Sequence, residues 1–456
     1  MKVSGWGRYP VIDTKMAFVH SVSALEALWA QGDEIDGAAH STIARGNGRS
    51  YGDSALNTHQ IVSMMGFNLM ESFDEESGLL VAGAGVLLSE IIDTFLPRGW
   101  FLTVSPGTKL VSLGGAVGSD VHGKDHHVHG SFAQSLAFID VVTPDQGLLR
   151  CSPTEHSELF HATTGGMGLT GIVVRVGLYL KRVPSAYVRQ QLVVCPDLKS
   201  IMECFEAHAE LPYSVAWIDC LKKGQHSGRS LFMGGDFASV AELQERAPKK
   251  AATPFSCKAR PLAVPLDFPS FALNSLSVKA FNALYFNHGR LVKADSIVDY
   301  NKFFYPLDAI AHWNRIYGRR GFTQYQFVIP RSEAPKALTQ ILETIAASGQ
   351  GSFLTVLKLF GRQPSFKGNL SFPEEGYTLA LDFAVNAKLF PLLERLDAMV
   401  IEHGGHIYLA KDCRLSKESF AAMYGARVSE FLEIKAQVDR HNRLSSLQSE
   451  RLGLTV

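Results

Sequence analysis

R-G-N-G-R-S-Y-G-D, from Arg45 to Asp53, and S-P-G-T-K-L-V-S-L-G-G-A-V-G-S-D-V-H-G-K, from Ser105 to Lys124, decide the fold. A glycine-dense turn lets backbone N–H groups approach a ligand closely and point together at an anion, because no Cβ stands in the way. Each loop follows an extended apolar run, His40 to Ala44 and Trp100 to Val104. Two such loops point to a ligand with a long phosphate-containing spine, and a dinucleotide fits. A third glycine run, T-G-G-M-G-L-T-G-I, contains G-x-G-x-x-G at Gly166, Gly168 and Gly171. That motif marks a nicotinamide site only between a preceding strand and a following helix. Here Ser157 to Thr163 reads as helix and Ile172 to Leu180 as strand, so the context is inverted.

Composition narrows the class. At 456 residues the chain is too long for one ordinary core, and two domains are expected. Lys plus Arg and Asp plus Glu both number 44, so there is no basic excess for a nucleic-acid partner. Cysteines 151, 195, 204, 220, 257 and 413 are scattered without C-x-x-C spacing, which fits reduced thiols better than a disulfide framework or zinc site. The N-terminus lacks the apolar core of a signal peptide, and no apolar run approaches the ~18 residues of a membrane span. The expectation is a cytoplasmic protein.

Residues 1–186 alternate helix-like and strand-like patterns: helix at Ser23 to Ala30, strand at Gly78 to Ala82, helix at Leu88 to Leu96, strand at Ala137 to Thr143. Beyond them, long alternating strands are expected at Tyr187 to Cys195, Tyr213 to Leu221, Phe322 to Pro330, Ser352 to Phe360 and Tyr377 to Ala384. Helices intervene, as at Ala334 to Ser348 and Ala387 to His403. That order predicts an antiparallel sheet with helices on one face. Between Lys249 and Lys293 stand seven Lys or Arg and one acidic residue, Asp267, with prolines at 254, 261, 265 and 269 and phenylalanines at 255, 268, 271, 281 and 286. One reading is an irregular loop capping the second domain. The other is a contact with anionic lipid headgroups, to which each basic residue adds ~1 kcal/mol.

Together with P-G-T and L-G-G-A-V-G-S-D-V-H-G-K-D-H-H, the loops resemble the PCMH-type FAD-binding domain of the vanillyl-alcohol-oxidase superfamily. Within it the chain is most similar to the decaprenylphosphoryl-β-D-ribose 2-oxidase family, the flavoprotein half of a ribose-to-arabinose epimerase. W-N-R-I-Y-G (Trp313 to Gly318), Q-Y-Q-F-V-I-P (Gln324 to Pro330), L-K-L-F-G (Leu357 to Gly361) and Y-L-A-K-D (Tyr408 to Asp412) extend the likeness over nearly the whole chain. The resemblance implies an α+β, two-domain fold: a discontinuous FAD domain, 1–186 with 405–456, and an antiparallel-sheet substrate domain, 187–404. It implies a lipid-linked sugar substrate, which would give the Lys249 to Lys293 segment a purpose in peripheral membrane contact, and an NAD(P)H-dependent keto-sugar reductase partner. It places the cofactor against Ala44, Arg45, Gly46, Asn47, Gly48, Arg49, Ser50, Tyr51, Gly52, Asp53 and Ser54. Further contacts are expected from Gly107, Ser112, Leu113, Gly114, Gly115, Ser119, Asp120, Val121, His122, Ile172 and Tyr408. Arg49 stands where covalently flavinylated relatives often carry a histidine, so FAD is expected to be non-covalent.

Oxidation of a secondary alcohol needs a hydride acceptor, a base for the hydroxyl proton and polar groups to hold the sugar. Lys411 ends the apolar run His406 to Ala410. Taken alone it is a lysine reaching for water; the resemblance makes it catalytic, as base, with His122 beside flavin and substrate. The cluster His122, His126, His127 and His129 invites a metal, but Lys124 in its midst opposes a cation and no thiolate joins, so none is expected. For substrate the resemblance points to Lys124, Trp217, Gln324, Gln326, Lys358 and Asp382. Lys358 interrupts an apolar strand, is costly there unless paired, and suits a ligand phosphate. Gln324 and Gln326 share one strand face, either to hold a sugar or as a solvent-facing edge. Thr378 and Ala380 stand where relatives carry Asn-x-Cys, and Phe304 replaces a tyrosine, so the pocket rim differs. Rival readings are an oxidase of a soluble sugar, alditol or aldonolactone, and a non-catalytic flavoprotein scaffold.

Overall fold

The computed structural model describes residues 1–30, 41–256, 262–269 and 272–455. A short antiparallel pair, Lys2–Ser4 with Val11–Asp13, is followed by three parallel strands. Lys15–Phe18 and Thr42–Arg45 flank Gln60–Ser63, and the first glycine loop leaves the C-terminal end of Thr42–Arg45. A parallel pair needs a crossover, and the helix Val22–Ala30 lies in the first of these connections.

A second, antiparallel sheet is centred on the apolar strand Ile172–Arg182, with Leu79–Gly83 and Leu136–Thr143 on its two sides and Trp100–Leu102 paired to its end. The second glycine loop opens a short helix, Leu113–Gly118, whose Ser112 side chain accepts from the Gly115 N–H at 3.3 Å. The Leu113 and Gly114 amides donate to Val86 and Ala84 carbonyls, which ties the loop to the end of Leu79–Gly83. The third glycine run closes on the helix end, with Met167 N–H donating to Gly118 O at 2.9 Å. Its flanks are the helix Ser157–Thr163 and the strand Ile172–Arg182, the inverted order read from the sequence.

The third sheet has eight antiparallel strands, in spatial order Asp295–Asp299, Tyr187–Cys195, Ser230–Phe237, Tyr213–Ile218, Thr355–Phe360, Gly376–Ala384, Phe322–Pro330 and His406–Ile407. Helices Leu198–Ala207, Ala334–Ser348 and Leu389–Glu402 cover one face. Leu338, Ile341, Leu393 and Val400 bury there with Phe327, Leu357, Leu379 and Leu381 from the strands, all with at most 1% exposure. Side chains alternate across a strand, so Gln324, Gln326, Lys358, Thr378, Ala380 and Asp382 all stand on the opposite face, which no helix of that layer covers.

Two elements differ from expectation. The run His406 to Ala410 is a strand only over His406–Ile407; Leu409–Lys411 is a single 3-10 turn, so Lys411 ends a turn and not a strand. Between the prolines and Lys293 lies a 15-residue helix, Ser275–Gly289, started by Asn274, whose side chain accepts from Leu276 and Ser277 N–H. Its seat is the free face of the large sheet, where Phe286 packs with Trp217 and Leu231. Lys258, Arg260, Pro261, Phe271, Cys257 and His40 lie outside the described residues.

After Ile407 the chain crosses back. Thr42 N–H donates to Arg443 O (2.7 Å), Leu447 N–H to Leu56 O (2.8 Å), and the Asn57 amide to Ser445 O (2.9 Å). Arg451 then reaches Asp53 Oδ1 at 2.8 Å and Asp412 Oδ2 at 2.9 Å with its two terminal nitrogens. From this pairing we propose that one unit comprises 1–186 with the tail, and the other 187–404 together with the short edge strand His406–Ile407. Arg451→Met leaves two nearly buried carboxylates without their shared cation, and stability should fall by ~3 kcal/mol or more. Denaturant titration with tryptophan fluorescence measures it; a midpoint equal to wild type would contradict the bridge.

Candidate active site

The glycine segments converge around a cleft. A Cβ on Gly46 would strike Ser112 Oγ, and Asn47 Nδ2 donates to Leu110 O at 2.7 Å, so the first loop lies along the second. Gly48 has φ +63, a conformation a glycine adopts without strain, with Arg45 packed against it. Arg45 is spent on Ser4 O (2.7 Å), while the Arg49 guanidinium lies 4.2 Å above the Trp6 ring and its buried Nε has no partner. Leu113, Gly114 and Ser112 are held against Ala84 and Val86; Ser50 O accepts from Trp6 N–H; Ser54 is buried. On the cleft side a Cβ at Gly107 would meet nothing within 4 Å, and those at Gly118 and Gly168 nothing nearer than 3.7 Å. An unpaired arginine nitrogen and three open glycines suit a pyrophosphate laid along these loops.

Several expected cofactor contacts have other work. Asp120 accepts from Ala133 N–H (2.9 Å) and from the Ser371 hydroxyl, and is held inside the loop. Tyr408 donates to Ser119 O at 2.7 Å and stacks on Phe372. Ile172 packs with Leu444 of the returning tail.

At the cleft's inner end the three-sheet architecture brings together residues far apart in sequence. His122 is buried; Gln326 Nε2 donates to its Nε2 at 3.0 Å, and Nδ1 has no partner. Burial, then Lys358, His126 and Lys411, hold its pKa well below 6.5, so the ring is neutral, with its Nδ1 buried and unpartnered. Lys411 Nζ sits 3.8 Å from the Tyr51 ring centroid, and Tyr51 N–H donates to Ala410 O at 3.1 Å. Gly52 abuts Asp412 O so closely that no Cβ fits, which fixes the first loop against the Lys411 turn. Desolvation pulls the Lys411 pKa down to about 8, with Asp382 opposing. Asp382 is buried and pushed up to about 7, again first by desolvation. Its Oδ1 accepts from Gln324 Nε2 at 2.6 Å and its Oδ2 has no partner.

Lys358 and Lys124 stand alongside. Both are enclosed by protein but keep part of their surface in a recess. Burial lowers Lys358 to about 7, helped by neighbouring Lys124, and lowers Lys124 to about 8. Their nearest carboxylate, Asp125, makes no hydrogen bond with either oxygen and is raised to about 7 by burial. Gln324 and Gln326 are thus a polar wall of the site and not a solvent-facing edge. Trp217 stands apart: its indole N–H is used by Phe353 O at 3.0 Å and its ring packs on Tyr285 of the covering helix. Asp125, Tyr317 and Arg451 were not read from the sequence. Asp125 carried a signal, a carboxylate beside Lys124 among histidines, and Tyr317 lies within W-N-R-I-Y-G; Arg451 carried none. Among the described residues no His, Cys, Asp and Glu cluster could hold a metal.

A family model for an FAD binding domain matches residues 17–152. The decaprenylphosphoryl-β-D-ribose oxidase of Mycolicibacterium smegmatis is 34% identical over 459 aligned residues, covering 99% of this chain and 97% of that protein. The chain belongs to that oxidase family. An uncharacterized Streptomyces coelicolor protein, from the region 5′ of mprA, is 30% identical across 81% of this chain and its own full length. The L-gulonolactone oxidase of Scyliorhinus torazame is 30% identical over 131 residues, 29% of this chain and 30% of that protein. The chain is therefore an FAD-dependent oxidoreductase of the PCMH-type α+β fold. With Arg49 before Ser50 there is no histidine at that place to bond the flavin. Acid precipitation should leave all the yellow colour in the supernatant, and Gly107→Val, which fills the open side of the loop, should lower flavin content without unfolding the protein. Colour in the pellet, or a fully loaded Gly107→Val protein, would contradict this site.

Proposed function

We propose that the chain oxidises the 2-hydroxyl of a polyprenyl-phosphoryl ribose to the 2-keto sugar. The observation that carries the proposal is the excess of cations: Lys358 on the sheet face and Lys124 and Lys181 beside it share one carboxylate, Asp125, which makes no hydrogen bond, and Lys124 Nζ reaches only the Phe304 carbonyl at 3.4 Å. Burying like charges without partners is unfavourable, and a phosphodiester is the anion that relieves it. Gln324, Gln326 and the free N–H of His122 supply donors and acceptors along one face for the sugar hydroxyls. FAD, held by the glycine loops, supplies the hydride acceptor. The side chains orient the pentose, exclude water and take the hydroxyl proton.

Thr378 and Ala380 supply only a hydroxyl and a methyl on the same face, with the Thr378 oxygen accepting from Gln326 at 3.3 Å. They widen the rim without removing its polarity. A 2-keto product is useful for epimerisation only if a second enzyme returns hydride to its opposite face, so an NAD(P)H-dependent keto-sugar reductase is the expected partner.

A lipid-linked substrate also needs access from a membrane. Among the described residues no helix is long and apolar enough to cross one. The covering helix nevertheless turns Leu276, Leu284 and, just past its end, Leu291 outward, with 78%, 72% and 85% exposure. Lys279, Arg290 and Lys293 flank them. We propose that this face rests on anionic lipid, on the side of the large sheet that carries Lys358, so that the polyprenyl chain stays in the bilayer. Exposing each CH₂ of such a chain to water costs ~0.8 kcal/mol.

Anaerobic mixing with polyprenyl-phosphoryl ribose should bleach the flavin, while free ribose should not. Lys358→Met should weaken lipid-linked substrate binding ~10-fold or more, the scale of losing a charge-assisted contact. Equal bleaching by free ribose would favour a soluble-sugar oxidase.

A further inference from the structure

Resting on the reading above, the further question is which group accepts the hydroxyl proton. We propose that Asp382 Oδ2 is the proton acceptor of the alcohol oxidation, and that Lys411 is the cation that keeps Asp382 ionised and stabilises the developing alkoxide. In that step the sugar O–H bond breaks and its proton goes to Oδ2. The C2–H bond would break with its electron pair leaving as hydride, which FAD, when bound, would accept, and C2–O would become C=O. The sugar loses two electrons and the flavin gains them.

The geometry favours the carboxylate in three ways. First, Asp382 stands on the same face as Gln324, Gln326 and Lys358, directly opposite Gln324 in the strand register. Second, Gln324 Nε2 occupies Oδ1 at 2.6 Å and the Asp382 amide donates to Ser352 Oγ at 3.0 Å, so the group is fixed while Oδ2 is buried without a hydrogen-bond partner. A buried acceptor without a partner is costly, and a substrate hydroxyl is the donor that satisfies it. Third, Lys411 Nζ sits over the Tyr51 ring at 3.8 Å, a position that stabilises an ammonium and offers a free amine nothing. An ammonium has no lone pair with which to take a proton. The charged or titratable groups facing Asp382 are Lys411 from the turn, Tyr51 from the first glycine loop and Tyr317 from the 3-10 turn Trp313–Tyr317. Burial raises both phenols well above 10, so they stay neutral. Lys411 is then the charge partner of Asp382 among these groups.

The test is the pH dependence of anaerobic flavin reduction in flavin-loaded enzyme. Wild type should show a limb that rises with pH through about 7, the ionisation of Asp382. Asp382→Asn should abolish that limb and slow reduction ~10²-fold or more while retaining flavin and substrate affinity. Lys411→Met should also be slow, but its limb should persist and move to higher pH, because the carboxylate loses its cation. Asp382→Ala should be rescued in part by formate. Independently of turnover, a carboxyl infrared band titrating near neutrality in wild type should be missing from Asp382→Asn. The proposal is overturned if Asp382→Asn keeps the limb and reduces within ~3-fold of wild type. It is equally overturned if the limb vanishes in Lys411→Met and Lys411→Ala is rescued by alkylamines. Should lipid-linked ribose fail to bleach wild-type flavin, the substrate reading fails by itself, and the same comparison runs on whichever sugar does.

Discussion

Arg451 holds the site together from the far end of the chain. One guanidinium joins Asp53 of the first glycine loop to Asp412, the residue after Lys411, and also donates to Leu415 O at 2.6 Å. Loop and turn are thereby fixed to each other. The Tyr51 amide can reach Ala410 O, the Tyr51 ring can underlie Lys411, and Gly52 can press on Asp412 O. A second bridge, Arg414 to Asp397, anchors the same turn to the helix behind the large sheet. Lys411 is therefore held from both sides, by the first glycine loop and by the helix behind the large sheet. Its position is set by ion pairs that close only when the tail has folded back.

The large sheet contributes by alternation. Its helix-covered face is filled with leucine, isoleucine and phenylalanine, which makes the strands stiff. Its other face carries Gln324, Gln326, Lys358 and Asp382 into a recess closed by the glycine loops and the Ser275–Gly289 helix. Polar groups on such a face are desolvated without being paired, and both carboxylate and lysine pKa values move toward neutrality. That state is unfavourable for the empty protein and favourable for a charged, hydroxyl-rich ligand. His122 Nδ1, both Asp125 oxygens and Asp382 Oδ2 are buried without hydrogen-bond partners.

Much of this was legible in the sequence. The glycine loops, the inverted G-x-G-x-x-G and the alternating strands at Tyr187–Cys195 and Phe322–Pro330 follow from local rules of turn chemistry and period. Lys358 declared itself by breaking an apolar run. The Lys411 turn did not, because five apolar residues read as strand whether or not a neighbour pairs with them, and only His406 and Ile407 find one. The Ser275–Gly289 helix was hidden for a different reason. It buries Val278, Asn282, Phe286 and Gly289 on one side yet exposes leucines on the other, so no amphipathic stripe marks it, and the prolines before it suggested irregular chain. Arg451 acts through contacts across the fold, which no local pattern records. Trp217 was read for its family position, but its indole N–H is spent on Phe353.

The account turns on oxidation at C2 of a phosphate-linked ribose held on this sheet face. Stopped-flow flavin bleaching with lipid-linked ribose deuterated at C2, compared with the same substrate deuterated at C3, tests that claim most directly. The account predicts a primary isotope effect for the C2 label alone, with deuterium absent from the keto product. An isotope effect confined to the C3 label, or bleaching insensitive to both, would contradict it.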